Sequence, residues 1–318
     1  MAFKDILLTL TSYPEPTPVA VVEDAVSIAA ALGAHLAAVS CEVHVQVPGN
    51  LLSGSVASIS GIIAGEAEKS QQSARGLLAA FVAAAEKAGV SHETIVEKCP
   101  TFDVPELLVD YARLHDLTIV PVPESYDQWY AESVIFGSGR ATLILPETPR
   151  GRPFELGTVV VAWDFSRAAA RAVSDALPLL ERARKVRVVT VGNEKVFDTK
   201  HSAEELAKNL ARHRIDVVLD KINADGKPIG EVLEAYLVSQ KADVLVMGAY
   251  GHARWREFIL GGATKSLLSK PPVPILLSHK ADVLVMGAYG HARWREFILG
   301  GATKNLLSKP PLPILFSH

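Results

Sequence analysis

Apolar and polar positions along this chain fall into short, β-branched runs separated by longer amphipathic or alanine-rich stretches. The runs Ile6–Thr9, Leu36–Ser40, Glu93–Cys99, Leu117–Val122 and Ala141–Leu145 predict strands. Val19–Leu32 and Gly65–Ala88 predict helices, stopped by Gly33 and Gly89, and Val104–Leu114 predicts a third. Between the second strand and the long helix, the Gly/Ser-rich stretch Pro48–Gly65 predicts a loop, either a solvated surface loop or a lid.

The pattern then stops and restarts. Glu147–Leu156, rich in Pro, Gly and charge, predicts a linker. Beyond it Thr158–Ala162, Val186–Val191, Asp216–Lys221, Asp243–Met247 and Pro274–Leu277 predict strands. Ala168–Arg182, a segment opening at Ser202, Ile229–Ser239 and Gly261–Ser269 predict helices. Glu205 follows Ser202 at the spacing of a capping box. Strands alternating with helices of this length imply βαβ units. The expected fold class is α/β: two tandem, doubly wound, Rossmann-like five-stranded parallel sheets, over residues 1–146 and 157–279, joined by the linker 147–156.

The last segment occurs twice. Lys241–His279 and Lys280–His318 are each 39 residues long and differ only at Ser266/Asn305, Val273/Leu312 and Leu277/Phe316, so 39 − 3 = 36 positions match. The first copy follows the helix Ile229–Ser239 directly and is the expected occupant of the second sheet. The second, 280–318, is then an extra C-terminal strand–helix–strand repeat. Its apolar runs Val283–Val285 and Ile314–Phe316 need cover, at about 25 cal/mol per Å². A homo-oligomer formed through this duplicate is one expected source of that cover.

Composition narrows the partners. The 318 residues are 49% apolar and 21% charged with a formal net charge of −3, which leaves no electrostatic footprint for nucleic acid or an anionic membrane. No apolar run approaches the ~18 residues of a membrane span. The N-terminal run Met1–Leu8 reads as a buried strand rather than a signal peptide. Cys41 and Cys99 are the only cysteines, too few and too isolated for a disulfide framework or a zinc site, and they fit a cytoplasmic location.

The strand ending at Met247 runs into Gly248-x-x-Gly251, and Gly261, Gly262, Ala263 and Thr264 open the next helix. Glycine lets backbone approach a phosphate, and a helix start offers unpaired N–H groups to an anion. The Thr264 hydroxyl adds a donor. The strand before Asp164 (Thr158–Ser166 reads TVVVAWDFS) delivers that carboxylate to the same sheet edge, where it can accept from ribose hydroxyls. Val191, ending the next strand, can offer backbone groups to a base. A second reading stays open: the glycines serve a tight turn and close helix packing, and Asp164 is a cap or turn residue. His252 and Arg254 either touch phosphates or sit in a solvated loop, and Tyr250 and Trp255 either stack or pack. GGATKS at Gly261–Ser266 lacks the Walker ending, Ser166 lacks a nucleophile elbow, and no metal-ligand spacing is present.

With these residues the chain resembles the universal stress protein family, in its tandem two-domain form, across residues 1–279. The family's nucleotide-binding members carry Gly-x2-Gly-x9-Gly-(Ser/Thr) and an acidic residue after the first strand, matched here by Gly248, Gly251, Gly261 and Asp164. The resemblance implies ATP, with Mg²⁺ as its companion. Gly248, Gly251, Gly261, Gly262, Ala263 and Thr264 would hold phosphates, Asp164 the ribose, and Val191 and Met247 the base. It implies binding and sensing in a stress response, not an enzyme. Gly262 departs from the pattern, standing where binders have Ser or Thr. The first half departs further: Thr11 takes the acidic position, Pro123-Glu124-Ser125-Tyr126 replaces Gly-x2-Gly, and Gly137-Ser138 is matched to the later part. One complete site per chain is expected, because the duplicate cradle (Gly287, Gly290, Gly300, Thr303) has no second Asp164 and Val191 to face. The alternatives are a nucleotide-free dimerising scaffold and an ATP-hydrolysing enzyme; the latter lacks an evident base or carboxylate cluster.

Overall fold

Five β-branched runs from each half of the chain line up in one sheet. The computed structural model describes residues 2–44, 56–122, 129–147, 154–192, 202–249 and 262–278. The chain divides into two units, Met1–His279 and Lys280–His318, and every described residue lies in the first. The first half supplies β1 (Asp5–Leu10), β2 (His35–His44), β3 (His92–Pro100), β4 (Leu117–Val122) and β5 (Ala141–Pro146). The second supplies β6 (Thr158–Ala162), β7 (Lys185–Gly192), β8 (Val217–Asn223), β9 (Val244–Gly248) and β10 (Ile275–Ser278). Their order is β3-β2-β1-β4-β5-β10-β9-β6-β7-β8. Pairing is parallel within each half. The halves meet through antiparallel β5 and β10, with Ile144 facing Ile275, Leu143 facing Leu276 and Thr142 facing Leu277. A pseudo-twofold axis thus passes between Leu143 and Leu276.

Every residue of β4, β5 and β10 is buried, as expected for sheet covered on both faces. One face packs α1 (Val19–Leu32), α2 (Val56–Ala88), α5 (Arg167–Leu180) and α6 (Ala203–Arg212); the other packs α3 (Val104–Leu114), α4 (Trp129–Gly137), α7 (Ile229–Ser239) and α8 (Gly262–Ser269). The strand period of two sorts the side chains: Val244 and Val246 enter the first core, Leu245 and Met247 the second. The first core runs across both halves. Phe154 is buried in it, its N–H donates to Ser27 Oγ at 2.7 Å, and the Arg182 guanidinium donates to the Ala31 and Leu32 carbonyls at the end of α1.

Three expectations change. The long helix starts at Val56, so residues 56–64 of the predicted loop are helical, while 45–55 lie outside the described residues. Extending an existing helix adds a hydrogen bond for each residue fixed, which outweighs the glycines that read as loop. Ser202 is the N-cap of α6 but its side chain makes no cap hydrogen bond, so the capping box is not formed. Its hydroxyl instead bonds the Glu204 carboxylate, which it holds below the usual range. A helix between β4 and β5, left undelimited by the sequence pattern, is α4.

Cys41 and Cys99 are both buried as free thiols, and burial pushes both thiols up. No helix among the described residues is long and apolar enough to cross a membrane. The first copy of the repeat supplies β9, α8 and β10; the second lies outside the described residues.

Candidate functional site

Strand register matches the halves residue by residue. Ile6 faces Leu117 as Val159 faces Val244, and Asp5 faces His35 as Thr158 faces Lys185. A shared device confirms the match. Asp116, just before β4, accepts from the Lys4 and Asp5 N–H groups at 2.9 and 3.1 Å and donates its own N–H to Asp5 O at 2.9 Å. Asp243, just before β9, accepts from Thr158 N–H at 2.8 Å and donates to Thr158 O at 2.8 Å. On this register Thr11 corresponds to Asp164, Cys41 to Val191, Thr9 to Ala162, and Pro121 to Gly248.

The candidate site lies at the carboxyl edge of β9, β6 and β7. Ala162 pairs with Val189, and Val161 with Val246, so Met247, Ala162 and Val189 form one row across three strands. Two residues further along each strand come Ala249, Asp164 and Val191. Trp163 N–H donates to Val189 O at 2.9 Å and carries the ladder to the acid. Asp164 is half-buried, and its Oδ1 accepts from Ser166 N–H at 2.9 Å across Phe165, whose φ of 62° is left-handed. Ser166, not Asp164, caps α5, its Oγ accepting from Ala169 N–H at 3.0 Å. One carboxylate oxygen is therefore committed to the turn.

The predicted residues divide. Val191 is half-buried on the second-core face beside Ala162. Met247 is a core residue, 7% exposed. Gly248 ends β9, and a Cβ built there would stand 2.7 Å from Ala168 C, Ala168 Cβ and Ala169 N in the first turn of α5. Close helix packing accounts for that glycine without any ligand. Gly262 and Ala263 open α8, and Thr264 in its first turn is only 3% exposed. Gly251 and Gly261 lie outside the described residues, with Tyr250, His252, Arg254 and Trp255.

In the first half the matching edge is closed. Ser12 Oγ donates to the Cys41 carbonyl at 2.5 Å and lies 2.9 Å from Ser70 Oγ, which accepts from Val43 N–H at 2.9 Å. Thr11 is tied into its own turn, its N–H donating to Thr17 Oγ1 and its carbonyl accepting from Thr17 N–H, both at 3.0 Å. Thr9, Cys41 and Val104 are 5%, 4% and 6% exposed, whereas their counterparts Ala162, Val191 and Ile229 stay half-buried. Nothing at fixed spacing announces Ser12 and Ser70: one leaves β1, the other sits in the interior of α2. Two sequence assignments also shift. Pro121, not Pro123, is the counterpart of Gly248 in the first half. Gly137 ends α4 rather than opening it, and a Cβ there would meet Val109 Cγ1 and Cγ2 at 3.0 Å, so it serves α3–α4 packing.

The universal stress protein family model matches residues 155–279. No curated protein sequence matches the chain. Among solved structures, a universal stress protein from Archaeoglobus fulgidus DSM 4304 aligns with a TM-score of 0.63 at 16% identity, covering 86% of this chain and 98% of that one. A Pseudomonas aeruginosa UCBPP-PA14 protein classed with the universal stress proteins aligns at 0.52 and 13% identity, covering 87% and 94%. A protein of unknown function from Pseudomonas aeruginosa PAO1 aligns at 0.52 and 11%, covering 87% and 93%. Identities this low speak for the fold, and coverage this wide extends it to both halves. Residues 155–279 thus match the universal stress protein family model, and the first half repeats the fold of that domain.

Proposed function

We propose that the second half binds an adenine nucleotide at the carboxyl edge of β6, β7 and β9, and that the protein senses this ligand rather than turning it over. One observation carries the reading: positions that the first half seals with its own hydroxyls and buried side chains stay half-exposed in the second, beside Asp164. Ala162, Val191 and Ile229 give an apolar floor suited to a flat base. Asp164, with one oxygen fixed by Ser166 N–H, is preorganised to accept from ribose hydroxyls. The helix opening at Gly262 offers N–H groups to phosphate. Among the described residues no three His, Cys, Asp or Glu side chains converge as a metal cage, so Mg²⁺ would arrive on the nucleotide's own phosphates.

Calorimetry with ATP tests this. Wild type is expected to show one binding event per chain, and Asp164→Ala to weaken it roughly tenfold to a hundredfold through lost charge-assisted hydrogen bonds. The packing of Gly248 against α5 favours a second reading, a nucleotide-free scaffold, because the fold alone then explains the glycine that opens the motif. Absence of heat with wild type selects the scaffold. Release of ADP from bound ATP over hours would replace sensing with turnover.

A further inference from the structure

The second half of the sheet has one seat for a strand–helix–strand unit, and the chain carries two sequences for it. We propose that Val273 and Leu277 are the side chains by which this seat selects the first copy over the second. Most contacts that define the seat are blind to the choice. Asp243 brackets Thr158 with hydrogen bonds, β9 pairs with β6, and Ser278 bonds the Asp175 carboxylate on α5. The second copy repeats those residues as Asp282, Val283–Gly287 and Ser317. Connectivity is a weak selector too. Seating the second copy would loop out the first, and closure entropy grows only logarithmically with loop length.

Discrimination therefore falls to the three differing positions. Ser266 is exposed, so Asn305 in its place would be tolerated. Val273 is half-buried against the second core, where Leu312 adds a methylene. Leu277 is fully buried between Thr142 of β5 and Met247 of β9, themselves 0% and 7% exposed, and Phe316 would bring an aromatic ring there. Enlarging a packed core side chain forces neighbours off their rotamers, worth roughly tenfold or more in equilibrium at Leu277, with a smaller share at half-buried Val273. Both core differences enlarge the second copy, so they act in the same direction. The family match also ends at residue 279, with the first copy.

Hydrogen exchange read by mass spectrometry on the full chain tests the proposal, because peptides reaching from Ser266 or from Asn305 to the closing strand differ in mass in wild type and in both variants below. In V273L/L277F, amide protection over residues 274–278 is expected to fall roughly tenfold or more relative to wild type. In the four-position exchange V273L/L277F/L312V/F316L, which keeps composition constant, slow exchange is expected to move to residues 313–317. Wild-type stability in V273L/L277F, or protection that stays on 274–278 in the four-position exchange, would overturn the selection. Nucleotide binding plays no part in either readout.

Discussion

The two halves share strand order, register and the aspartate that brackets the first and fourth strands, yet they finish the same sheet edge in opposite ways. In the first half Ser12 and Ser70 satisfy the backbone of Cys41 and Val43, and the surrounding positions are buried. In the second, Asp164 and Val191 stand at that level with the apolar floor half-exposed. A buried polar group must find a partner. The first half finds it within its own chain, while in the second, among the described residues, Ala162, Val191 and Ile229 stay half-exposed beside Asp164. One fold thus closes this edge with its own hydroxyls in one half and leaves the matching positions half-exposed in the other, the contrast on which the proposed binding rests.

The largest effect should come from Gly248. Gly248→Ala sets a Cβ 2.7 Å from the backbone of Ala168 and Ala169, atoms that cannot swing aside as a flexible side-chain end would. A loss of about 3 kcal/mol is expected in denaturant unfolding. At the matching position, Pro121→Ala should cost about 1 kcal/mol. Equal losses would mean that the helix after the first strand packs alike in both halves, and the contrast at this edge would weaken.

Next comes the seal itself. Ser70→Ala leaves the Val43 N–H without its partner at a site where Val43 is 5% exposed and Ser70 fully buried, an expected cost of about 1–3 kcal/mol. The double variant S12A/S70A should still show a single nucleotide event by calorimetry. A second event would reveal the first half as a masked site rather than a structural one.

The contrast marks what sequence pattern reveals. Strand and helix order and the tandem arrangement follow from hydrophobic period, which is a local property. The place of Asp164 at the sheet edge was legible because it sits at a fixed spacing beside a strand end. Ser12 and Ser70 were not, because they meet through a helix whose start the Gly/Ser composition hid. The match of Gly137 to the cradle failed for a related reason. A glycine in a sequence marks a place without room for a Cβ, and only coordinates reveal whether a ligand or a neighbouring helix takes that room; here it is Val109.

A smaller difference separates two tyrosines at matching positions of α3 and α7. Tyr236 OH donates to Asp220 Oδ2 at 2.5 Å and accepts from Arg187 Nε at 2.9 Å, while Arg187 also makes two bonds to Asp220. Burial works to raise Asp220, but the bonds from Tyr236 and Arg187 outweigh it and hold the carboxylate below its usual range. Tyr111 OH donates to Glu97 Oε1 at 2.5 Å, and that bond pushes its phenol up to about 12. Tyr236→Phe should cost about 2 kcal/mol and Tyr111→Phe about 1 kcal/mol in thermal unfolding. The reverse order would place the tighter edge in the first half.

The smallest effect is a pH dependence rooted in the first half. Glu147, at the end of β5, donates its N–H to Val122 O at 3.3 Å, and burial, with the Glu15 charge in support, pushes its carboxyl up to about 7. The folded chain then binds this proton more tightly than the unfolded chain, whose carboxyl titrates near 4.5. Stability from this group is complete below the unfolded value and declines as pH rises through 7. Glu147→Gln should remove that decline: little change at pH 4, and a gain of about 1 kcal/mol at pH 8 after allowing for the part of the carboxyl that water still reaches. Parallel pH–stability curves for wild type and Glu147→Gln would show that Glu147 keeps an ordinary carboxyl and that the closed half adds no pH dependence at this position.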